Sequence, residues 1–570
     1  MLRDSLVALS LSNLLFVDIW KLFLIPHSTF YPYYQWKLNP APLLLATILD
    51  VLLLSVILLV AITFARRAQR EFILPIARSI FVVVFVLVAV NLLVITAANP
   101  PLGPLLKTLI RRPRLLFDWQ GISNIYSWLA VLGLLSGMGG ITLMIHSLIY
   151  RRQQLIRLSV TILLITAPFV LVTFTQAATQ WIRYRAGEQF GKKAAPALPQ
   201  QGNSQRRILW LIFDELDLRL SFVDRPPTLN LPEFDRLREE SIFASNAYPP
   251  GGDTELSLPA LIDGSFVSRI NRSAPNELLV FGDNDQSTSW SSRPNVFSRA
   301  RGMGLNSGLA GWYHPYCRVI GSSLTQCSWE ATSLLFLPNT ELADLICFSE
   351  HVSVVRGMVR VAGSVLLPAM IRLFLPKDPS LWRKYVFKEF NGIHQRSLAM
   401  AADTNLQLIL VHYPIPHPPG VYDRYKNDFS FNSSSGYLDN LVLADRVLKE
   451  LRQKMTEAGV WESTTVLISS DHRLRADRVW RDHQLWKPSL TKEDPVVLNS
   501  TPDERVPFIL RLAGESKSVI YEPAFNTVLS SELILAVLSG EITKKEDAVE
   551  WLDLHRSIAE SPYLQRAKDN

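Results

Sequence analysis

Thr465-Val-Leu-Ile-Ser-Ser-Asp-His472 is an apolar run that leads directly into an aspartate and a histidine. A continuous apolar run of this length is typical of a strand that is covered on both faces. A second run, Leu209-Trp-Leu-Ile-Phe213, leads in the same way into Asp214 and Glu215. The two runs therefore predict buried strands whose carboxyl ends carry acids and a histidine.

Between these runs lies Tyr248-Pro-Pro-Gly-Gly-Asp-Thr-Glu-Leu-Ser-Leu-Pro-Ala-Leu-Ile-Asp-Gly264. This stretch predicts a helix that begins after the two prolines and two glycines, with Thr254 at its start. A hydroxyl is a poor nucleophile at neutral pH unless a base or a metal activates it. Acids and a histidine at strand ends supply that activation, so we predict that Thr254 is a nucleophile. The alternative is an ordinary N-cap, because Asp253 and Thr254 both cap helices well.

The fold class follows from the alternation of such runs with helical patterns. Leu406-Gln-Leu-Ile-Leu-Val411 is another apolar run, and it ends at His412. Strands that alternate with helices predict an α/β sandwich with a largely parallel sheet. In such sheets the functional sites gather at the carboxyl ends of the strands, which is where the acids and histidines of this chain lie.

The charge of the chain is divided unevenly along its length. The formal net charge is +7, but the first 205 residues hold 18 Lys and Arg against 6 Asp and Glu, whereas the remainder is acidic. No basic stripe with interleaved aromatic residues occurs in the acidic part. The composition therefore argues against a nucleic-acid partner.

Residues 1–185 are predicted to form an α-helical membrane domain of about five spans. Apolar runs long enough to cross about 30 Å of hydrocarbon lie near residues 5–25, 43–64, 75–97, 124–149 and 156–178. The first run contains Asp18 and Lys21, whose spacing lets them pair on one helix face. Arginines follow the second run and precede the fifth; placing both clusters in the cytoplasm puts the C-terminal domain outside. The basic loop at 107–114 disagrees, and either contact with anionic head groups or a wrong span count explains it.

The rest of the chain divides by composition into three parts. We predict a linker over residues 186–205, a catalytic domain over 206–540 and a solvated, helical C-terminal tail over 541–570. Residues 352–376 are unusually apolar for a soluble insert, yet they contain three arginines. An amphipathic helix on the membrane surface is the preferred interpretation, with ordinary core and a sixth span as alternatives.

The three cysteines are sparse but informative. Cys317 and Cys327 flank a short loop, and outside the membrane we expect them to form a disulfide. Cys347 lies among apolar residues and is predicted to be buried. Their spacing argues against a cysteine-based zinc site.

Four passages of the chain carry a family resemblance. They are Phe213-Asp-Glu215, Thr254-x-x-Ser257-x-Pro259, Ser470-Asp-His472 and the amphipathic helix, turn and strand that run from Tyr437 to His472. In order and spacing they resemble the alkaline phosphatase and sulfatase superfamily, and within it the membrane-anchored phosphoethanolamine and phosphoglycerol transferases. The resemblance covers roughly residues 206–515 and implies an α/β sandwich of the alkaline phosphatase-like type.

The chain departs from the superfamily pattern in three places. Sulfatases that act on sulfate esters need a Cys or Ser that becomes formylglycine, and Thr254 cannot be converted in this way. This difference argues against a true sulfatase and for phosphorus chemistry. Arg473 stands where the family has a glycine, and it either alters the loop or supplies a cation to the substrate. The paired aspartates of sulfatases are Asp214 and Glu215 here, which leaves open which acid binds metal.

The resemblance implies a metal site made of Asp214, Glu215, Thr254, Asp471 and His472. Carboxylate, imidazole and alkoxide ligands suit Zn²⁺ or Mn²⁺ better than Ca²⁺, which prefers oxygen ligands alone. Taken without the resemblance, Asp214 and Glu215 could simply begin a helix after a strand.

The resemblance also implies roles for residues around that site. His417 and His483 resemble substrate-side histidines of the transferases, and we predict that one of them protonates the leaving oxygen. His412 and Arg473 are predicted to contact the substrate. Whether His417 and His483 complete a second metal site stays open.

Together these expectations describe a multi-pass protein of the cell inner (plasma) membrane with its catalytic domain on the extracytoplasmic side. We expect a phospholipid donor, a glycan or lipid hydroxyl as acceptor, and a covalent threonine intermediate. The alternatives are a phosphodiesterase, phosphatase or sulfatase-like hydrolase of the same superfamily, and a membrane assembly protein whose site has decayed.

Overall fold

The computed structural model describes residues 2–17, 20, 24, 34, 41–67, 152–185, 194–199, 206–274, 276–282, 286–330, 379–431, 435–475, 497 and 503–556. These residues fall into two compact units. The spans predicted at 75–97 and 124–149, the apolar insert at 352–376, Cys347 and His483 lie outside the described residues.

The first unit consists of helices from the N-terminal part of the chain. They are α1 (Leu2–Leu15), α2 (Ala41–Arg67), α3 (Arg152–Thr166) and α4 (Pro168–Arg185). Within the described part of the chain, two helical stretches are long and apolar enough to cross a membrane, Thr47–Phe64 and Gln153–Ile182. The second stretch coincides with the predicted run at 156–178, but a turn at Ala167 divides it into α3 and α4. Ser10 and Thr166 share a hydrogen bond of 2.8 Å that ties α1 to α3.

The second unit is built on one large sheet. Among the described residues its nine strands are β1 (Arg207–Asp214), β2 (Ile242–Tyr248), β6 (Ser307–Trp312), β7 (Gln326–Glu330), β8 (Leu408–Pro416), β11 (Thr464–Ser470), β12 (Val506–Arg511), β13 (Val519–Tyr521) and β14 (Phe525–Asn526). The order is β13-β2-β12-β11-β1-β8-β6-β7, with β14 also paired to β2. Strand β12 runs antiparallel to both of its neighbours, and the other pairs are parallel. The prediction of an α/β fold with a largely parallel sheet is therefore confirmed.

Shorter elements complete the unit. Strands β3 (Arg269–Ala274), β4 (Glu277–Phe281) and β5 (Ser287–Ser289) form a small antiparallel sheet, and β9 (Tyr422–Asp423) pairs with β10 (Asp428–Phe429). The helices are α5 (Pro232–Glu239), α6 (Thr254–Asp263), α7 (Val296–Gly302), α8 (Tyr316–Val319), α9 (Pro379–Ala402), α10 (Tyr437–Glu457), α11 (Ser530–Ser539) and α12 (Lys545–His555).

Both faces of the large sheet are covered, which explains the unbroken apolar runs. Along β1, Ile208, Trp210 and Ile212 enter one hydrophobic cluster with α6, α7, α11 and α12. The alternating residues Leu209, Leu211 and Phe213 enter the opposite cluster with α5, α9 and α10. Every residue of β1 is buried, so both faces of the strand contribute to hydrophobic stabilisation.

The C-terminal helix differs from the solvated tail that we expected over residues 541–570. In α12, Ala548 and Leu552 are fully buried and Trp551 is 6% exposed. These three residues follow the spacing of one helix face, whereas the acids and lysine around them gave the segment a polar composition. The described part of the tail is therefore packed into the domain.

Two further contacts tie separate segments into the second unit. Cys317 in α8 and Cys327 in β7 form a disulfide, at the pair that the sequence suggested. Tyr34 is fully buried, and its hydroxyl lies 3.0 Å from His314 Nδ1. A residue that precedes α2 in the chain thus belongs to the core of this unit.

Candidate active site

The site forms where three parallel strands end beside the start of α6. Strand β1 lies between β11 and β8, with Phe213 opposite Ser470 on one side and Tyr413 on the other. Asp214 is the last residue of β1, and Asp471 and His472 follow β11 directly. This register brings the acids of two strands to one edge of the sheet, as the strand-end argument predicts.

Thr254 is not the residue that caps α6. Asp253 is the N-cap, and its side chain accepts a hydrogen bond of 3.0 Å from the backbone N–H of Leu256. The hydroxyl of Thr254 instead donates to Asp471 Oδ2 at 2.8 Å and lies 3.2 Å from His472 Nε2. Thr254 is 4% exposed, so its hydroxyl is held among acids and imidazoles rather than used to satisfy the helix end.

The loop before α6 needs glycine to reach this position. A Cβ on Gly251 would lie 2.9 Å from Ser257 Oγ and 3.0 Å from Leu256 Cβ. Such distances are too short for a side chain, so the Gly-Gly turn allows the loop to fold tightly over the first turn of α6. Gly251 therefore lies directly against the helix that begins at Thr254.

Four buried side chains surround the Thr254 hydroxyl. His472 Nε2 lies 3.4 Å from Asp214 Oδ1 and 3.3 Å from Asp471 Oδ2. His412 Nε2 lies 3.9 Å from the same Asp471 oxygen. One ligand atom from each of Asp214, His412 and Asp471 lies within 4.8 Å of the others. All four side chains are fully buried.

These residues fit a divalent cation. Neither carboxylate oxygen of Asp214 accepts a hydrogen bond from any described donor, and His412 Nε2 likewise has no partner among the described residues. Buried carboxylates without donors are costly unless a cation neutralises them. The mixed carboxylate and imidazole set matches Zn²⁺ or Mn²⁺ chemistry.

The histidine tautomers also favour cation binding. His412 Nδ1 donates to the carbonyl of Trp312 at 3.0 Å, and His472 Nδ1 donates to the carbonyl of Arg473 at 2.9 Å. With the proton on Nδ1, each ring presents the lone pair of Nε2 to the acids. This arrangement of backbone acceptors behind the ligating ring is typical of metal-binding histidines.

The burial of the acids and imidazoles also favours a bound cation. Burial raises the pKa of Asp214 well above its usual range and raises that of Asp471 to about 7. Burial also lowers the pKa of His412 to about 3 and that of His472 well below its usual value. The imidazoles are therefore neutral at physiological pH and able to bind a cation, and a bound cation would hold the two carboxyls in their ionised form.

Glu215 lies in the site but faces a different partner. Its carboxylate accepts a hydrogen bond of 2.6 Å from Arg475 Nε. Among the described residues, the candidate cation group contains Asp214, His412 and Asp471 but not Glu215. Our sequence-based prediction did not include Arg475, although its position four residues after Asp471 was a visible signal.

Arg473 and the remaining histidines lie around this centre. Arg473 is 2% exposed, and its Nε lies 3.0 Å from Glu504 Oε1, so its described ion pair is with an acid outside the predicted site. His417 is buried and donates through Nδ1 to the carbonyl of Pro418 at 2.6 Å. His412 belongs to the candidate cation group, and its predicted contact with substrate stays a prediction.

The loop that carries His417 is held from α10. The side-chain amide of Asn440 donates to the carbonyls of Pro416, His417 and Pro419 at 3.4, 3.2 and 3.2 Å. Its oxygen accepts from the backbone N–H of Val421 at 2.9 Å. The buried side-chain amide of Asn440 therefore forms hydrogen bonds with three carbonyls and one N–H of this loop. The sequence did not reveal this role.

Comparison with known proteins identifies one family. Residues 380–538 match the sulfatase family model, which confirms the resemblance to the alkaline phosphatase and sulfatase superfamily. No curated protein matches the chain in sequence.

Solved structures with a similar fold include three bacterial proteins. A sulfatase from Pseudoalteromonas sp. is 15% identical, with 59% of this chain and 68% of that chain covered and a TM-score of 0.37. A phosphonate monoester hydrolase from Silicibacter pomeroyi is 13% identical, with 59% and 73% covered and a TM-score of 0.37. A protein of the alkaline phosphatase superfamily from Vibrio parahaemolyticus is 11% identical, with 61% and 69% covered and a TM-score of 0.33.

Proposed function

We propose that this chain, an enzyme with a sulfatase-family domain over residues 380–538, is a metal-dependent transferase of phosphoryl-containing groups. In this proposal Thr254 is the nucleophile, the donor is a phospholipid, and the acceptor is a glycan or lipid hydroxyl. The sulfatase-family domain indicates a hydrolase or phosphotransferase of the superfamily.

The placement of the Thr254 hydroxyl carries the proposal. It lies 2.8 Å from Asp471 Oδ2 and 3.2 Å from His472 Nε2. It also lies at the N-terminus of α6, where backbone N–H groups and the helix dipole favour an anion. A hydroxyl that is buried beside two cation ligands and an anion-binding helix end is well placed to attack a phosphoryl group.

A metal is expected in the acid and histidine cluster. Asp214, Asp471 and His472 would hold it, with His412 within reach. When bound, a divalent cation lowers the pKa of a coordinated hydroxyl and balances the negative charge of a phosphoryl group.

In this proposal, residues of the chain have defined roles in each of two displacement steps. Asp471 orients Thr254 through the hydrogen bond at 2.8 Å. Thr254 gives its proton to Asp471 and its Oγ1 forms a bond to phosphorus as the bond from phosphorus to the leaving oxygen breaks, and His417 or His483, in its protonated form, gives that oxygen a proton. In the second step the acceptor hydroxyl attacks phosphorus and the bond to Thr254 breaks. The same histidine takes the acceptor's proton, and Asp471 returns the proton of Thr254.

Phosphorus chemistry is preferred to sulfate ester hydrolysis because of the nucleophile. A threonine cannot become formylglycine, whereas its hydroxyl can form a phosphate ester directly. The N-terminal helices support a membrane donor, since Thr47–Phe64 and Gln153–Ile182 are apolar and long enough to span. An anchored enzyme holds its site close to a lipid substrate, and we propose a multi-pass arrangement with the catalytic unit on the extracytoplasmic side.

Product analysis tests the proposal. The purified full-length protein is incubated with phospholipid vesicles and Zn²⁺ or Mn²⁺, with and without a glycan acceptor, and the lipid and glycan products are identified. A glycan that carries the head group, formed by the wild type and not by Thr254→Ala, is the expected result. Free head group in equal amount with and without acceptor would instead identify a hydrolase. Turnover that persists in Thr254→Ala would contradict the role of this threonine.

A further inference from the structure

We propose that Arg475 binds the phosphoryl oxygens of the substrate, and that Glu215 orients Arg475 instead of binding metal. The inference rests on the proposed function because it assigns a second cationic group to the same site. It concerns two residues whose roles differ from those expected of the superfamily pattern.

The geometry of Arg475 leaves one edge of its guanidinium available. Its Nε donates to Glu215 Oε1 at 2.6 Å. Glu215 is fully buried, whereas the Arg475 side chain is 21% exposed. No described residue accepts a hydrogen bond from its two Nη atoms. Arg475 is therefore fixed at one end by a buried acid and presents two donors to a space that solvent can reach.

Glu215 is itself fixed on both sides of its backbone. Its N–H donates to Asp471 Oδ1 at 3.2 Å, and its carbonyl accepts from the hydroxyl of Tyr437 at 2.6 Å. The backbone φ of Glu215 is +61°, in the left-handed region. A glutamate in this conformation is strained, and the hydrogen bonds on either side hold the conformation in place. Its side chain is therefore directed to Arg475 in a defined way.

Arg475 is linked to the reacting hydroxyl through two residues. Its Nε donates to Glu215 at 2.6 Å, and the backbone N–H of Glu215 donates to Asp471 Oδ1 at 3.2 Å. The other oxygen of Asp471 accepts from the Thr254 hydroxyl at 2.8 Å. A continuous chain of hydrogen bonds therefore joins the guanidinium to the nucleophile.

The charge balance of the site also favours a role for Arg475 in binding a phosphoryl group. Asp214, Glu215 and Asp471 are three buried carboxylates. One divalent cation and Arg475 together neutralise them, so a phosphoryl group can enter without meeting a net negative site. The planar fork of a guanidinium also matches two phosphoryl oxygens better than an ammonium does.

Arg473 is not an equivalent candidate. Its side chain is 3% exposed, compared with 21% for Arg475, and its described ion pair is with Glu504. We therefore assign the cation that contacts the substrate to Arg475, the second arginine after Asp471-His472, and not to Arg473.

Binding of inorganic phosphate tests the inference without turnover. Full-length, metal-loaded protein with Thr254→Ala is titrated with phosphate in a calorimeter, alone and combined with Arg475→Gln or Arg475→Lys. We expect phosphate affinity to fall by about tenfold to hundredfold in Arg475→Gln, since two charge-assisted hydrogen bonds are lost. Arg475→Lys retains the charge but not the planar fork of the guanidinium. Its phosphate affinity should lie between that of the Thr254→Ala protein and that of the Arg475→Gln variant. Unchanged affinity in Arg475→Gln would overturn the inference.

A matched control separates binding from a general loss of structure. Arg225 pairs with Asp235 at 2.6 Å and is 19% exposed, so it resembles Arg475 in burial and pairing but is not part of the site. Arg225→Gln should leave phosphate affinity unchanged. A loss of affinity in both variants would attribute the effect to folding and refute the specific role.

Glu215→Gln tests the positioning role with two readouts. The bound metal, measured by elemental analysis, should stay at the wild-type ratio, whereas phosphate affinity should fall because Arg475 loses its anchor. Loss of metal would make Glu215 a ligand and overturn that part of the inference. Because none of these titrations needs the threonine to react, a failure of the covalent mechanism leaves the phosphate result interpretable.

Discussion

Replacing Asp214 with asparagine should make the metal-free protein more stable and the metal-loaded protein less stable. Both oxygens of Asp214 are buried and accept no hydrogen bond from a described donor. Burial, followed by the neighbouring Asp471 and Glu215, raises the pKa of Asp214. Without a cation this carboxyl opposes folding, and Asp214→Asn removes that penalty while it also removes a metal ligand.

The magnitude follows from the burial. An unsatisfied buried polar group costs about 1–3 kcal/mol, and more if it is charged. Asp214→Asn should therefore stabilise the metal-free protein by roughly 1–3 kcal/mol, at roughly 2–4 °C in Tm for each kcal/mol. In the wild type, metal at 100 times its Kd adds about 2.7 kcal/mol, and the variant should lose most of that gain.

The sign of the pH dependence is fixed by the raised pKa. A folded carboxyl with a raised pKa keeps its proton to a higher pH than the unfolded chain does, so the native state binds more protons above pH ~4. The stability of the metal-free wild type should therefore fall as pH rises from about 4 towards the raised pKa values. In Asp214→Asn this fall should be shallower, because one of the carboxyls with a raised pKa is gone.

Thermal unfolding of the detergent-solubilised protein, in EDTA and in saturating Zn²⁺ or Mn²⁺, measures both effects. Asp217→Asn is a matched control, since Asp217 is also buried but accepts a hydrogen bond of 2.7 Å from Leu220 N–H. Because Asp217 lies outside the candidate cation group, that variant should keep the full metal response. A metal response in Asp214→Asn equal to that of the wild type would refute the assignment of Asp214 as a ligand.

Three further substitutions test separate parts of the site. Thr254→Ala should lower turnover at least about a thousandfold, whereas Thr254→Ser keeps a hydroxyl and should retain measurable turnover in the same assay; equal rates in the two variants would contradict a nucleophilic role. Asn440→Asp replaces a donor to three carbonyls, including that of His417, with an acceptor, so kcat and Tm should both fall; an unchanged kcat would show that this loop does not position catalysis. Arg473→Leu breaks the pair between the buried Arg473 and the 30% exposed Glu504 and should lower the stability in a thermal scan, by less than the roughly 3–5 kcal/mol of a fully buried pair, with KM unchanged; a raised KM without loss of stability would favour substrate contact.

The large sheet was predictable because short stretches of sequence are enough to indicate its buried strands. The runs of β1 and β11 have consecutive apolar residues at their centres, a pattern typical of a strand that is covered on both faces. The acids at their ends then meet because parallel neighbours end at the same edge. The antiparallel direction of β12 was not predictable, because a short buried strand carries no signal of its direction.

The site was predictable in its residue types but not in its pairings. Asp471, His472 and Thr254 follow from strand ends and a helix start. The pair of Glu215 with Arg475 joins residues 260 positions apart, and no local pattern encodes such a contact. The choice of Asp253 as the N-cap depends on the φ and ψ angles of that residue. The sequence alone therefore did not show whether Asp253 or Thr254 is the N-cap.

The central claim is that Thr254 carries the transferred group as a covalent intermediate. Mass spectrometry of the peptide that spans Thr254, after incubation of the purified protein with native lipids and quenching in acid, tests this claim most directly. We expect an adduct on Thr254 whose mass identifies the phosphoryl-containing group, and no adduct in Thr254→Ala. An unmodified Thr254 in protein that is metal-loaded and turning over its lipid substrate would contradict the account.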